Sequence, residues 1–133
     1  MLANSLCRFY TVPGVSVHLD VNVDDVSLDI ETAVPCGLII NELISNSLKH
    51  AFTDIEGTGI IRVSFARKGC SYVLKIHDNG KGLPASFDIN NTTSMGLEII
   101  AILTQQLDGN IRAQNDDGAS FEITFPGVEK NAA

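Results

Sequence analysis

Apolar and polar residues alternate along the stretch that begins at Val15. Val15, Val17, Leu19 and Val21 fall on one side, and Ser16, His18, Asp20 and Asn22 on the other. Period two predicts a half-buried strand. From about residue 31 the period lengthens: Ile40, Leu43, Ile44, Leu48 and Ala51 recur at helical spacing, which predicts a helix over about 31–52. Thr32 or Glu31 stands near its start and Pro35 in its first turn. Strands are predicted again over about 60–67 and 72–78, joined by Lys68-Gly69-Cys70-Ser71. A second helix over about 96–107 stops at Asp108-Gly109, and strands 110–114 and 120–125 are split by Asn115-Asp116-Asp117-Gly118. Near the N-terminus Leu2, Leu6 and Phe9 fit helical spacing, so residues 1 to about 10 read as the tail of a helix ended by Pro13-Gly14. A short extended piece is expected over 26–30, and a loop over 53–59.

Hairpin-paired strands and two long helices predict an α/β two-layer sandwich, with a mixed, mainly antiparallel sheet carrying helices on one face. The other face would be solvated, which suits the alternation after Val15. The 133 residues make one domain. It is expected over 13–126, preceded by the end of a linker or helix (1–12) and followed by a tail (127–133).

Charge narrows the partners. A net charge of -7 argues against a sequence-independent hold on nucleic acid or anionic lipid, since both require basic patches. Any phosphate would have to be held locally, by backbone amides, a metal ion and a few cations. Cys7, Cys36 and Cys70 are odd in number and show no CxxC spacing, which indicates free thiols in a reducing compartment. No stretch approaches the ~20 apolar residues needed to span a bilayer, and the first residues lack a signal peptide's order.

On an α-helix advancing about 100° per residue, Glu42, Asn46 and Lys49 fall within roughly 60° of one another, with His50 at the edge of the same face. A carboxylate, an amide oxygen, an ammonium and an imidazole in one stripe suit a hydrated divalent metal and a phosphate chain. Mg²⁺ keeps several waters and takes few protein oxygens. The plainer alternative is a solvent-facing helix surface.

Asp78-Asn79-Gly80-Lys81-Gly82-Leu83-Pro84 follows a strand. Asn-Gly alone would suggest a hairpin turn, yet no alternating strand follows it. Glycines there let the backbone approach a ligand closely. The Asp78 carboxylate can accept a hydrogen bond from the exocyclic amine of adenine, where guanine presents a repelled carbonyl oxygen. Ser94-Met95-Gly96-Leu97 opens the second helix, either as an ordinary serine cap or as free amides offered to phosphate. Between these segments, residues 85–93 are polar except for Phe87 and Ile89, the composition of a lid or of a plain surface loop. The chain has no P-loop, no GxGxxG and no HRD or DFG motif, so any nucleotide site is of another type.

Taken in order, these segments resemble the GHKL superfamily of gyrase, heat-shock chaperone, histidine kinase and mismatch-repair ATPases. Glu42 to His50 resembles its N box, Asp78 to Gly82 its first glycine box, Ser94 to Leu97 its second, and 110–125 its closing hairpin. Within that group, the run from Pro35 to Phe52 and Gly96-Leu97 with Gln105-Gln106-Leu107-Asp108-Gly109 resemble histidine kinases having the second type of phosphoacceptor domain. The resemblance covers about residues 10–126.

It implies a Bergerat-type fold and the ATP-binding catalytic domain of a two-component sensor histidine kinase, a domain placed in the cytoplasm whether or not the parent kinase is anchored in a membrane, with ATP and Mg²⁺ as cofactors. By motif position, Asn46 corresponds to the metal-binding asparagine, Lys49 and His50 to phosphate contacts, and Asp78 to the adenine reader. Gly80, Gly82 and Gly96 correspond to the loop glycines, with Leu97 beside them. Glu42 matches the general base of hydrolysing members; toward a histidine acceptor it would chiefly order the metal's water. Alanine at 119 replaces a threonine that often contacts adenine, and Ser120 should face the other way. His18 and His77 lie in strands and His50 in the N box, which leaves no acceptor histidine on a long amphipathic helix. The implied partners are a phosphoacceptor and dimerisation domain and, indirectly, a response regulator, with the isolated chain monomeric. The alternatives are a nucleotide-binding regulatory module and an anti-sigma-type serine kinase.

Overall fold

Strict alternation in the sequence becomes strict alternation of burial in the computed structural model, which describes residues 4–12, 15–24, 28–52, 57–85, 87–89 and 94–127. In β3 (Gly57–Lys68) Ile61, Val63 and Phe65 are buried, while Arg62 and Ser64 are exposed. In β4 (Ser71–Asp78) every second residue is buried: Tyr72, Leu74, Ile76 and then Asp78. The same period that buries three apolar side chains carries a carboxylate onto the core face at the end of the strand.

The remaining elements are β1 (Asn4–Val12), β2 (Val15–Val23), α1 (Ile30–Asn46), α2 (Met95–Gln106), β5 (Asn110–Asn115) and β6 (Ala119–Pro126). The six strands form one sheet in the order β1-β2-β3-β4-β6-β5. Among the described residues only β2 and β3 pair in parallel, with Leu19 opposite Ile61; the other four pairings are antiparallel. A parallel pair needs a crossover, and α1 lies between β2 and β3 in the chain. The mixed, mainly antiparallel α/β architecture therefore agrees with the sequence reading.

The helices cover one face. Cys36, Ile39 and Leu43 of α1 and Leu97, Ile100 and Leu103 of α2 join Val17, Ile61, Leu74, Ile76 and Ile123 in the core. Burial also pushes the Cys36 thiol up to about 11. Phe65, Tyr72 and Phe125, with ring centroids 5.4–6.2 Å apart, fill the end of the core away from Asp78.

Three expectations change. The N-terminal segment is not the tail of a helix: β1 pairs with β2 from Asn4 opposite Val23 to Val12 opposite Val15. Its Phe9-Tyr10-Thr11-Val12 run is aromatic and β-branched, a preference that the spacing of Leu2, Leu6 and Phe9 concealed. α1 begins at Ile30, so Pro35 lies in its second turn and the extended piece expected over 26–30 falls partly outside the described residues. The first helix also does not stay α-helical to its end: Ser47–Ala51 form a π-helical turn. At the close of α2, Asp108 takes the left-handed conformation at φ 56, while the Gly109 amide donates to the Thr104 carbonyl at 3.0 Å.

Candidate functional site

Asp78 is only 2% exposed. An unpaired carboxylate at that depth would cost on the order of several kcal/mol, so its donors decide whether the fold tolerates it. Oδ1 accepts from the Gly80 amide at 3.0 Å and the Ala119 amide at 3.2 Å; Oδ2 accepts from Ser47 Oγ at 2.9 Å. These donors come from the first glycine segment, from β6 and from the π-helical turn, so one carboxylate ties three elements together.

Around it lies a cavity of about 360 Å³, lined by Asn46, Ser47, His50, Asp78, Leu97 and Phe121, among others. Gly82, Leu83, Pro84 and Ser94 complete a ring of the motif segments. Phe87 packs edge-on against Phe121 at a centroid distance of 6.3 Å, placing one of the two large apolar residues of 85–93 on the cavity wall. The rest of the expected lid falls partly outside the described residues.

The sequence-predicted residues divide. Asn46, His50, Asp78, Gly82 and Leu97 line the cavity. Gly80 is not among the described lining residues, and a Cβ on it would run into the Ala51 carbonyl, so no side chain fits. Glu42 and Gly96 meet beside the cavity: a Cβ on Gly96 would lie 3.0 Å from Glu42 Oε2 and 3.7 Å from Asn46 Oδ1. A side chain at Gly96 would therefore press on the Glu42 carboxylate, which would have to shift by a few tenths of an ångström. Lys49 is exposed and is not among the described lining residues.

The π turn explains why Lys49 and His50 exchange places. Hydrogen bonding to i+5 advances each residue by roughly 80–85° rather than about 100°. Relative to Asn46, that swings His50 back onto the Glu42 side and turns Lys49 away from it.

At the second glycine segment Ser94 caps α2, accepting from the Leu97 amide at 3.5 Å. The first turn of α2 begins beside Asn46 and Glu42, so its amides lie near an amide oxygen and a carboxylate. Asn46 and Glu42 supply one amide oxygen and one carboxylate, a donor set that fits Mg²⁺ keeping most of its waters. Among the described residues no cluster of three or more His, Cys, Asp or Glu forms a protein-only cage.

Several cavity residues escaped the sequence reading as individuals, among them Ser47, Lys81, Leu83 and Phe121. Ser47 lay inside the N-box run with no signal beyond its neighbours. Asn115 was read only as part of a turn, yet its side chain binds Leu83, which lines the cavity. Ala119 contributes its backbone to Asp78. Ser120 is out of phase with Ala119 and Phe121 on β6 and is not among the described lining residues, as alternation requires.

Comparison with known proteins gives the same grouping. Residues 31–129 match the family described as histidine kinase-, DNA gyrase B- and HSP90-like ATPases. Blue-light-activated histidine kinase 2 of Erythrobacter litoralis is 30% identical over 113 residues, covering 84% of this chain and 32% of that protein. Sensor histidine kinase PdtaS of Mycobacterium tuberculosis is 31% identical over 102 residues, covering 74% of this chain and 20% of that protein. The chain thus spans a third or less of these curated relatives. The solved histidine kinase domain of the Erythrobacter litoralis EL346 blue-light-activated kinase superposes with a TM-score of 0.75 at 27% identity, covering 85% of this chain and 52% of that one. With the family match extending over most of the sequence, the chain belongs to the histidine kinase-, DNA gyrase B- and HSP90-like ATPase family.

Proposed function

We propose that this chain is the ATP-binding catalytic domain of a sensor histidine kinase, handing the γ-phosphoryl group of Mg·ATP to a histidine on a separate phosphoacceptor and dimerisation domain. The observation that carries the reading is the buried Asp78 carboxylate at a cavity that also meets the N-box helix and the start of α2. An acceptor-only group in an apolar cavity selects a base that presents hydrogen-bond donors, as adenine does.

Leu83, Phe87, Leu97 and Phe121 would sandwich the base, and the amides at the start of α2 would hold phosphate oxygens. Asn46 and Glu42 would hold Mg²⁺ and its water, and the ion, when bound, neutralises charge on the β- and γ-phosphates. His50, on the cavity wall, would contact the phosphate chain. A histidine acceptor supplies its own lone pair, so Glu42 has no proton to remove and serves to orient water on the metal. Transfer then rests on position and charge neutralisation. No helix among the described residues is long and apolar enough to cross a membrane; a domain fed by ATP works on the cytoplasmic side.

The reading is supported by the family and by relatives named as sensor histidine kinases. Its test is phosphotransfer. With γ-labelled ATP, an acceptor domain from the parent kinase gains acid-labile label while this chain stays unlabelled. His77 is fixed on β4, its Nε2 2.6 Å from the Asp116 carbonyl oxygen, which leaves it no in-line approach to a nucleotide in the cavity. Label on this chain alone, abolished by His18→Ala or His77→Ala, would contradict the account.

A further inference from the structure

The Asp78 carboxylate is held unequally. Both donors to Oδ1 are backbone amides, but the donor to Oδ2 is a side chain, Ser47 Oγ at 2.9 Å. Ser47 is 6% exposed and lines the cavity from the π-helical turn. A serine hydroxyl carries one hydrogen and two lone pairs. With that hydrogen committed to Oδ2, the Ser47 oxygen has only lone pairs left to present to the cavity.

We propose that Ser47 is a specificity-determining residue for the nucleotide base, acting through Asp78. This rests on the nucleotide reading above. Adenine offers an exocyclic amine with two hydrogens; guanine offers a carbonyl oxygen at the same position. An amine meets two acceptors, Asp78 Oδ2 and Ser47 Oγ. A carbonyl meets the same two oxygens and bonds to neither. Guanine could be received only if the Ser47 hydrogen rotated away from Asp78, which would strip Oδ2 of its donor in a carboxylate that is almost wholly buried. The price of leaving a buried acceptor unpaired is what makes polar pockets selective. Ser47 thus couples rejection of the wrong base to the integrity of Asp78. Unlike the two amides, this donor can be removed by substitution.

Mg·ATP and Mg·GTP affinities, measured by calorimetry on this chain, test the assignment. Wild type is compared with Ser47→Ala and Ser47→Cys, each also in an Asp78→Asn background. Ser47→Ala is expected to lower the ATP-to-GTP affinity ratio on the order of three- to tenfold. Ser47→Cys should do the same, because a thiol of similar volume is a weak donor. With Asp78→Asn present, neither substitution should change the ratio further. A merely structural loss would weaken both nucleotides together and leave the ratio alone. A ratio unchanged in both Ser47 variants overturns the proposal, and so does a Ser47 effect that persists at full size without the Asp78 carboxylate. A wild type that binds neither nucleotide overturns the nucleotide reading itself, and this inference with it.

Discussion

Asn115 grips the backbone of Leu83 at both of its polar groups: Oδ1 accepts from the Leu83 amide at 2.7 Å, and Nδ2 donates to the Leu83 carbonyl at 3.1 Å. The side chain imitates a neighbouring strand and joins the exit of the first glycine segment to the end of β5. Leu83 and Pro84 line the cavity, so the clamp fixes one of its walls.

Asn115→Ala removes both bonds at an exposed position, where each contributes about 1 kcal/mol. Nucleotide affinity should fall on the order of three- to tenfold, and hydrogen exchange at the Leu83 amide should accelerate. Asn115→Asp keeps the acceptor for the Leu83 amide but loses the donor, and should fall between. Unchanged affinity and exchange in Asn115→Ala would remove the clamp from the account.

Asn46 carries the metal prediction. Its carboxamide and the Glu42 carboxylate both face the start of α2, with Oδ1 and Oε2 on the same side of Gly96. Asn46→Ala should weaken ATP binding in magnesium by on the order of tenfold, about 1.4 kcal/mol, and far less in EDTA. Calorimetry in the two buffers makes the comparison. Equal losses in both would assign Asn46 to the nucleotide rather than to the ion.

Much of this site was legible from period alone. Counting two by two along β4 from Tyr72 places Asp78 on the buried face, and the glycines after it mark the close approach. The stripe on α1 was legible only as far as Asn46, because an α-helical count assumes about 100° for every residue. The π turn breaks that count, and nothing in Ser47-Leu48-Lys49-His50-Ala51 announces it. His50 therefore reaches the cavity, and Lys49 is not among its described lining residues. β1 was lost for a related reason: three apolar residues at helical spacing outweighed a β-prone run, and pairing with β2 decided the matter. Ser47 and Asn115 stayed hidden because their partners lie 31 and 32 residues away. A hydrogen bond closed across the fold leaves no trace in local pattern.

The central claim is that a nucleotide occupies the Asp78 cavity, and an amide-resolved NMR titration of this chain with Mg·ATP tests it most directly. A second hollow provides the contrast: about 410 Å³ on the uncovered sheet face, lined by polar groups including Asp20, Arg62, Lys75 and His77. The account predicts saturable shift changes at Gly80, Gly82, Leu97 and Ala119 and at Asn46 and His50, with Arg62 and Lys75 still. The Gly80 and Ala119 amides should respond strongly, since both donate to Asp78 Oδ1. Changes confined to Asp20, Arg62, Lys75 and His77, or no change at millimolar Mg·ATP, would contradict it.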